Sequence, residues 1–312
     1  MIKMRNLDPS LRGLFNCNAP RRQRHVIKSD ASNLDFVRSR SEGYIYNSIV
    51  DAVSEAEDYE DIIVWPGQYK ELSTIAITQD SLCLIAAEMG PFGRCLTRTE
   101  IRQYGNVDTP CISVEGAHNV EIAGFRITPY DPGTLGNIGI NCGQTEDTYG
   151  LYIHNNYFYG VASSSLSVCH IQLGVDASFE CDSAFIYRND FYCGGASDNA
   201  RGMLEWNQAN RSQIRENNFW HIGNTADSIA INIYDAVLPR GGIFDNRFMN
   251  VEQNLAGSNA VAIKNPTVVG GDIQIDGNHF INYTSDACCI ASRLNASLGV
   301  NYNNEAIIAS GS

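Results

Sequence analysis

One short pattern of apolar and polar positions, IxxNxF, returns five times between residues 153 and 280. Its leading isoleucines are Ile153, Ile186, Ile214, Ile243 and Ile275, and subtracting neighbouring positions gives steps of 33, 28, 29 and 32 residues. Since the motif stays constant while its spacing varies, the pattern predicts a solenoid whose coils differ in the length of their loops.

A second apolar series runs out of phase with the first and predicts a further strand in every coil. Its members are Ile112, Ile140, Ile171, Leu204, Ile231, Ile263 and Ile290. The apolar segments are short and are separated by clusters of Gly, Asn, Asp and Ser, so we predict an all-β protein. A coil of about 30 residues would hold three short strands, each paired with its equivalents in the coils above and below.

Two positions of the repeat are predicted to stack along the solenoid axis. The asparagines would form a column at one bend, each amide donating to the next and to backbone groups of the turn: Asn156, Asn189, Asn217, Asn246 and Asn278. The phenylalanines, two residues further on, would stack inside: Phe158, Phe191, Phe219, Phe248 and Phe280. Because a repeated polar group at a bend is usually structural, we interpret both columns as scaffold.

The start of the solenoid is predicted to be covered by a helix near residues 46–57, where apolar residues recur at helical spacing between acidic ones. The segment IIVWPGQYKE, residues 62–71, follows it. This helix and segment, together with the IxxNxF repeats, resemble the pectin lyase-like superfamily over about residues 44–300. The resemblance implies a single-stranded, right-handed parallel β-helix, but no particular function.

Charge is divided unevenly along the chain. The net charge is −13, but residues 1–40 hold nine Lys or Arg against three Asp, a balance of +6, which leaves −19 for the rest. We predict a basic N-terminal arm at residues 1–43, the β-helix with its capping helix at 44–300, and a C-terminal tail or cap at 301–312. The arm could be merely solvated, or it could attach to an acidic protein surface through Arg21, Arg22, Arg24, Phe15 and Phe36. Nucleic acid is a poor partner because the acidic body would repel a polyanion.

The cysteines and hydropathy predict neither a metal site nor a membrane segment. Ten cysteines are present, and Cys142 and Cys169 fall at inward-facing strand positions. No apolar segment typical of a signal peptide follows Met1, so we predict free, buried thiols made in a reducing compartment. No CxxC pair, zinc-type cluster or apolar run of membrane-spanning length occurs, and we predict no metal and no cofactor.

Two outward-facing series are the candidates for function. The position after each apolar residue of the second series is largely polar: Asn141, Gln172, Glu205, Asn232, Lys264 and Ala291. The position after each stacked phenylalanine begins with Tyr159, Tyr192 and Trp220 and then becomes aliphatic. This second stripe could stack against sugars, pack against another subunit, or form a core layer beneath a loop.

Catalysis would require clustered carboxylates, and the candidates on neighbouring coils are Asp182, Glu205 and Asp235. Acidic surface loops also bring such pairs together by chance. The segment QDSL at residues 79–82 resembles the QDTL of pectin methylesterases but falls in the first coil. The motifs of polygalacturonases and pectate lyases are absent, so the resemblance assigns no catalytic residue.

The layout of a basic arm before a β-helix resembles phage tailspikes and capsid-surface spikes. That resemblance implies a structural virion protein, a capsid decoration or spike protein, made in the host cytoplasm and carried as a homotrimer on an acidic surface of the particle. A host surface glycan is a further candidate partner. The alternative is a polysaccharide depolymerase, of hydrolase or lyase type, or a glycan-binding module without catalysis.

Overall fold

The computed structural model of the 312-residue chain describes residues 21–29, 31, 34, 44–88, 98–103, 109–129, 138–161, 169–174, 179–194, 203–207, 209–220, 229–233, 240–249, 261–265, 272–283, 288–292 and 303–308. Strands dominate these residues, with one short helix, α1 (Ile49–Ser54), after β1 (Gln23–Val26) and β2 (Ile45–Tyr46).

The strands then follow one another in repeating groups of three, one for each of three parallel sheets. The first three groups are β3 (Asp61–Val64), β4 (Gly67–Glu71) and β5 (Ile75–Ile77); β6 (Cys83–Ala86), β7 (Thr99–Gln103) and β8 (Ile112–Val114); and β9 (Glu121–Ala123), β10 (Arg126–Thr128) and β11 (Ile138–Cys142). Each of the next two groups follows a short extra strand: β12 (Thr148–Tyr149) precedes β13 (Tyr152–His154), β14 (Tyr157–Val161) and β15 (Cys169–Leu173), and β16 (Cys181–Asp182) precedes β17 (Phe185–Tyr187), β18 (Asp190–Gly194) and β19 (Leu204–Trp206). The last groups are β20 (Ser212–Arg215), β21 (Asn218–Trp220) and β22 (Ile229–Ile233); β23 (Arg240–Phe244), β24 (Arg247–Met249) and β25 (Val261–Asn265); and the long β26 (Asp272–Tyr283), which pairs in the first two sheets, with β27 (Cys288–Ser292).

Each strand pairs in parallel with its equivalent in the next coil, and both apolar series lie in register. In the first sheet, called sheet one, Ile153 pairs with Ile186 and Ile186 with Ile214. In sheet three, Ile140 pairs with Ile171 and Ile171 with Leu204. Sheet two, between them in each coil, begins with β4 and carries the phenylalanines. The protein is therefore the all-β parallel solenoid that the repeat predicts.

A sharp bend joins sheets one and two at every IxxNxF motif. The residue before each motif asparagine has left-handed backbone, with φ near 57° at Asn155, 56° at Glu216 and 67° at Gly277. For a residue other than glycine this conformation costs about 1 to 2 kcal/mol, so the bend needs compensating interactions. The asparagine column supplies them.

The asparagine column is a continuous hydrogen-bonded stack. Each side-chain Nδ2 group donates to the Oδ1 of the next asparagine, from 3.2 Å between Asn156 and Asn189 to 3.0 Å between Asn246 and Asn278. Each also donates to a carbonyl oxygen of the preceding coil, as Asn217 does to Ile186 at 2.9 Å. All five asparagines are buried, so the amides satisfy turn backbone groups that water does not reach.

The phenylalanine column forms the centre of the core beneath sheet two. Consecutive rings from Phe158 to Phe280 are nearly parallel, with centroids 4.7 to 5.0 Å apart. All five rings are buried, together with the five isoleucines of the repeat and with the second series from Ile112 to Ile231. Burial of each ring contributes about 1.5 to 3 kcal/mol, so the repeated motif fixes the stacking of the coils.

Helix α1 lies inside the segment predicted to form a cap. The side chain of Ser48 accepts a hydrogen bond from the backbone N–H of Asp51, and Ile49, Ala52 and Val53 are buried against the first strands. The carboxylate of Glu71 accepts from the backbone N–H of Ile49 at 2.9 Å. The helix start is thus anchored to the solenoid as well as capped locally.

The predicted arm requires a correction, because part of it belongs to the solenoid. Strand β1 pairs in parallel with both β2 and β3, and Val26 is fully buried. The side chains of Arg21 and Arg24 form ion pairs with carboxylates of the body, Arg24 Nε lying 2.5 Å from Glu60 Oε2. The charge pattern suggested a free tail, but these arginines neutralise the acidic edge of the first coil.

The C-terminal boundary also shifts. Strand β28 (Asn303–Ile308) pairs in parallel with β26, so the sheet continues into the segment predicted as a tail or cap. No helix among the described residues is long and apolar enough to cross a membrane.

The prediction of free thiols is wrong for one pair of cysteines. Cys142, at the end of β11, forms a disulfide with Cys181 of β16. Cys83 and Cys111 are buried and carry free thiols. The inward direction of Cys142 follows from strand alternation, but the approach of Cys181 depends on the turn after sheet three, which alternation does not describe.

Candidate functional site

A row of polar side chains follows the outer positions of sheet three, and we call it the polar row. Its members lie in strand register on consecutive coils: Ser113, Asn141, Gln172, Glu205 and Asn232. Equivalent residues of stacked strands are about 4.8 Å apart. Lys264 and then Ala291 hold the next two register positions.

The polar row is buried from Asn141 to Asn232, although its position on the outer face predicts solvent contact. Asn141 is 0% exposed, and Gln172, Glu205 and Asn232 are 5 to 8% exposed. Such polar groups have lost their hydration and need hydrogen-bond partners within the protein or from a ligand. Strand alternation predicts that they point away from the core, but not that they are shielded.

Asn141 is the most unusual member of the row. Its Oδ1 and Nδ2 atoms are both buried and have no hydrogen-bond partner. Its neighbour Gln172 has one long hydrogen bond, in which its Oε1 accepts from Gln144 Nε2 at 3.4 Å. Because buried amides are nearly always satisfied in folded proteins, Asn141 is an exception among the described residues.

The neighbouring turn, which leads from sheet three to sheet one, carries a group of carboxylates that we call the acidic turn: Asp147, Glu180 and Asp182. Asp147 Oδ1 accepts from the backbone N–H of Glu180 at 2.9 Å, and Asp182 Oδ1 accepts from that of Asn210 at 2.8 Å. Burial, followed by repulsion from Asp182 and Asp147, raises the pKa of Glu180. Burial also raises the pKa of Asp182.

The disulfide joins the polar row to the acidic turn. Cys142 follows Asn141 directly, and Cys181 lies between Glu180 and Asp182. The Cα atoms of the two cysteines are 6.1 Å apart. The strand that carries Asn141 is therefore covalently linked to the strand that carries Asp182.

The aromatic stripe on sheet two lies at the surface. Tyr159 and Tyr192 stack with their ring centroids 5.2 Å apart, and the guanidinium of Arg126 lies 4.9 Å from the centroid of Tyr159. Trp220 is 37% exposed. Since the two tyrosine rings cover one another's faces, they offer a ligand mainly edges and hydroxyl groups.

The outer face of sheet one carries a network of charged and polar groups. His154 Nε2 lies 2.8 Å from Glu121 Oε1, and Cys83 donates to Glu121 Oε2 at 3.5 Å. Burial opposes ionisation of Glu121, but the hydrogen bond from His154 keeps its pKa below the usual value. Burial and the Glu121 carboxylate raise the pKa of Cys83, so this thiol is protonated and is a poor nucleophile.

No metal-binding group of three or more His, Cys, Asp or Glu side chains occurs among the residues that the structure describes. His170 is fully buried, and that burial lowers its pKa to about 4. It is therefore neutral at pH 7, and its Nε2 atom lies 3.1 Å from the carbonyl oxygen of Tyr192.

Comparison with known structures agrees with this architecture. A PL6 family alginate lyase superposes with a TM-score of 0.53 at 13% identity, covering 91% of this chain, which spans only 39% of that enzyme. A pectin methylesterase mutant in complex with a hexasaccharide gives a TM-score of 0.50 at 12% identity, covering 91% of this chain and 92% of that one. The chain therefore shares the parallel β-helix fold of these two proteins.

The likeness to these carbohydrate-active enzymes concerns the fold alone, because the identities are so low. No protein-family model matches the sequence, and no curated protein is similar to it. The shared fold therefore assigns no functional residue to this chain.

The structure places two of the three predicted catalytic carboxylates. Asp182 lies in the acidic turn and Glu205 in the polar row, while Asp235, Phe15 and Phe36 lie outside the described residues. Asp147 and Glu180 are also among the carboxylates that the sequence offers, but the sequence interpretation did not predict that both lie with Asp182 in one turn. The proximity of these carboxylates follows from the strand register. Thr148 pairs with Cys181, and these two residues are 33 positions apart, as Ile153 and Ile186 are.

Proposed function

We propose that this protein binds a glycan chain at the polar row. The observation that carries the proposal is Asn141, whose amide is buried without a partner in a row of other polar side chains. Sugar hydroxyl groups both donate and accept hydrogen bonds, and they match amide and carboxylate groups well. A chain laid along the solenoid axis would meet a new polar side chain at each coil.

The proposal draws support from the class of protein that shares this fold. The two structural neighbours are an alginate lyase and a pectin methylesterase with a bound hexasaccharide. Their identities to this chain are too low to transfer any residue. They do show that parallel solenoids of this shape accommodate polysaccharide ligands.

Polysaccharide cleavage is a second candidate, favoured by the acidic turn. A glycosidase needs one carboxyl group that stays protonated as the general acid and a second that is ionised. The pKa values of Glu180 and Asp182 are raised, which is the property that a general acid requires. The disulfide links the strand of this turn that carries Asp182 to the strand that carries Asn141.

The virion role stays a prediction, and the structure changes how it should be tested. Arg21 and Arg24 are paired within the body. Residues 1–20, which precede them, hold three Lys or Arg against one Asp, a balance of only +2. Deleting residues 1–40 would remove β1 and unfold the first coil. Deleting residues 1–20 tests attachment to a particle without that damage, and unchanged incorporation would exclude the segment as the anchor.

The test of glycan binding compares variants of the polar row with a matched control. Calorimetric titration with soluble oligosaccharides should show binding to the wild-type protein, and Gln172→Ala or Asn232→Ala should weaken it about tenfold, since a lost hydrogen bond costs about 1.5 kcal/mol. Gln213→Ala, on sheet one and away from the row, should bind as the wild type does.

Two results would count against the proposal: no oligosaccharide binds, or the polar-row variants bind as tightly as the Gln213 variant. Shorter chains after prolonged incubation would identify an enzyme. In that event Glu180→Gln and Asp182→Asn should abolish cleavage while leaving binding in place.

A further inference from the structure

We infer that Gln144 is a further glycan-binding residue beside the polar row, and that Glu115 is the positioning residue that holds it there. The inference rests on the proposed function of the polar row. It concerns the turn that follows strand β11, whose residues 143–146 come directly after Cys142.

This turn brings three consecutive backbone N–H groups to one carboxylate. Gly143 has left-handed backbone with a φ of 66°, and a Cβ atom there would lie 2.9 Å from the carbonyl oxygen of Glu180, so the bend requires glycine. Beyond the bend, Glu115 Oε2 accepts from the backbone N–H groups of residues 144–146, at 2.8, 3.0 and 3.4 Å. The hydroxyl group of Thr145 donates to the same oxygen at 3.3 Å. Hydrogen bonds to an ionised group are stronger than neutral ones, so Glu115 fixes the conformation of the turn.

The same carboxylate connects the turn to the polar row. Glu115 Oε1 accepts from the hydroxyl group of Ser113, the first member of the row, at 2.9 Å. At the turn, Gln144 Nε2 donates to Gln172 Oε1 at 3.4 Å. Ser113 and Gln172 are the register neighbours of Asn141 on its two sides. A continuous chain of contacts, which we call the Glu115 link, therefore joins the coil before Asn141 to the coil after it: Ser113, Glu115, Gln144 and Gln172.

The amide of Gln144 has hydrogen-bonding capacity that the protein does not use. Among the described residues its side chain makes only the 3.4 Å bond to Gln172, which is long for a hydrogen bond. Its carbonyl oxygen and its second N–H bond are therefore available. Gln144 is half-buried, whereas Asn141 is fully buried with both amide atoms unpartnered. An amide donates and accepts at once, as sugar hydroxyl groups do, and Gln144 is the more accessible of these two amides.

Glu115 acts on the site through Gln144, because both of its carboxylate oxygen atoms are already engaged by the protein. Without this carboxylate, the backbone N–H groups of residues 144–146 lose their acceptor. Thr145 and Glu146 are exposed, so water can take its place and the coil stays folded. The turn then has no fixed conformation, and the Gln144 amide is no longer held against Gln172.

The experiment is a double-mutant cycle on the full-length protein. The protein is titrated calorimetrically with cello-oligosaccharides, chitosan oligosaccharides, oligogalacturonates and oligo-alginates, and the set that binds most tightly is used for the variants. Gln144→Ala should weaken binding about tenfold, and Glu115→Ala should weaken it about as much because it releases the same amide. The double variant should also lose only about tenfold, whereas independent losses would multiply to about a hundredfold.

Three comparisons separate positioning from a general loss of stability. Asp58→Ala removes a carboxylate that accepts from the backbone N–H of Asp80 at 2.8 Å, in the turn between β5 and β6, and it should bind as the wild type does. Glu115→Gln keeps an oxygen acceptor for the turn and should recover most of the affinity. Losses from Glu115→Ala and Asn232→Ala should multiply, since Asn232 lies three coils beyond Asn141. Thermal melts check that every variant is folded at the temperature of the titration.

The outcomes separate this inference from the function on which it rests. If Gln172→Ala and Asn232→Ala weaken binding while Gln144→Ala binds as the wild type does, the inference is overturned and glycan binding at the row stands. If the losses from Gln144→Ala and Glu115→Ala multiply, or if Glu115→Gln binds no better than Glu115→Ala, the positioning role of Glu115 is overturned. Failure of every oligosaccharide set to bind would overturn the proposed function and the inference with it.

Discussion

Replacing Asn217 with leucine tests the asparagine column where it is most constrained. Asn217 is buried in the middle of the five residues. Its Nδ2 group donates to Ile186 O at 2.9 Å and to Asn246 Oδ1 at 3.0 Å. Its Oδ1 atom accepts from the backbone N–H of Asn189 at 2.9 Å and from Asn189 Nδ2 at 3.1 Å. Leucine has a similar size but can make none of these four bonds.

The expected cost follows from the groups that leucine leaves without partners. Asn189 Nδ2 keeps its bond to Ile153 O, and Asn246 Oδ1 keeps the backbone N–H of residue 217. The backbone N–H of Asn189 and the carbonyl oxygen of Ile186 lose the partners that Asn217 supplied. An unsatisfied buried group costs about 1 to 3 kcal/mol, so the substitution should lower the free energy of unfolding by about 2 to 6 kcal/mol.

The assay is a thermal melt followed by circular dichroism, with Asn218→Leu as the matched control. Asn218 is the next residue, lies partly exposed, and donates to Asp190 at 2.7 Å, so the same change there should cost about 1 kcal/mol or less. For a large chain each kcal/mol corresponds to about 2 °C or more, and Asn217→Leu should lower Tm by at least about 4 °C. Equal melting temperatures for the two variants would refute the structural interpretation of the column.

Three further variants, one of them a double substitution, test other parts of the scaffold. Phe219→Ala removes the ring in the middle of the phenylalanine column and should cost about 3 to 5 kcal/mol in a denaturant melt; a loss below about 1 kcal/mol would mean that the rings do not pack as described. Changing Cys142 and Cys181 to serine opens a link of sequence separation 39 and should cost about 2 to 4 kcal/mol, whereas an identical melt would show that the bond does not form in solution. Arg24→Met leaves Glu60 buried without this partner and should cost about 3 kcal/mol at pH 7. Burial alone would raise the pKa of Glu60, but the hydrogen bond from Arg24 holds that pKa below the usual value of 4.5. The ion pair therefore stabilises the fold at pH values above 4.5, and this stabilisation fades as the pH falls through the pKa of Glu60 in the folded protein. An equal loss of stability at pH 3 and pH 7 would contradict this reasoning.

The periodic part of the structure could be predicted because its physics repeats. An IxxNxF motif has the same consequences in every coil: Ile153 and Ile186 pair, Asn156 and Asn189 share a hydrogen bond, and the rings two residues later stack. One good alignment of the motif therefore fixes many contacts at once. The left-handed residue before each asparagine is less obvious, since Arg188 and Glu216 are not residues that favour this conformation.

The parts that could not be predicted depend on segments that occur once. Strand β1 looks like a charged tail because its arginines are read without Glu60 and Asp61, which lie more than 30 residues further along the chain. The disulfide depends on how far the turn after sheet three brings Cys181 back over Cys142. The shielding of Asn141 depends on what lies over sheet three, and strand alternation contains no information about it.

The contrast between repeated inward positions and variable outward positions explains why the candidate site lies on the outer face of sheet three. Inward positions are confined to residues that stack on copies of themselves, so a change at Phe219 or Asn217 is felt by both neighbouring coils. Outward positions of sheet three have no such restriction, and Gln172, Glu205 and Asn232 differ although they share one register. A ligand that ran along this row would meet a sequence of different groups, read one coil at a time. The scaffold fixes the spacing of these side chains, so substitutions along the polar row are the direct test of the proposed glycan binding.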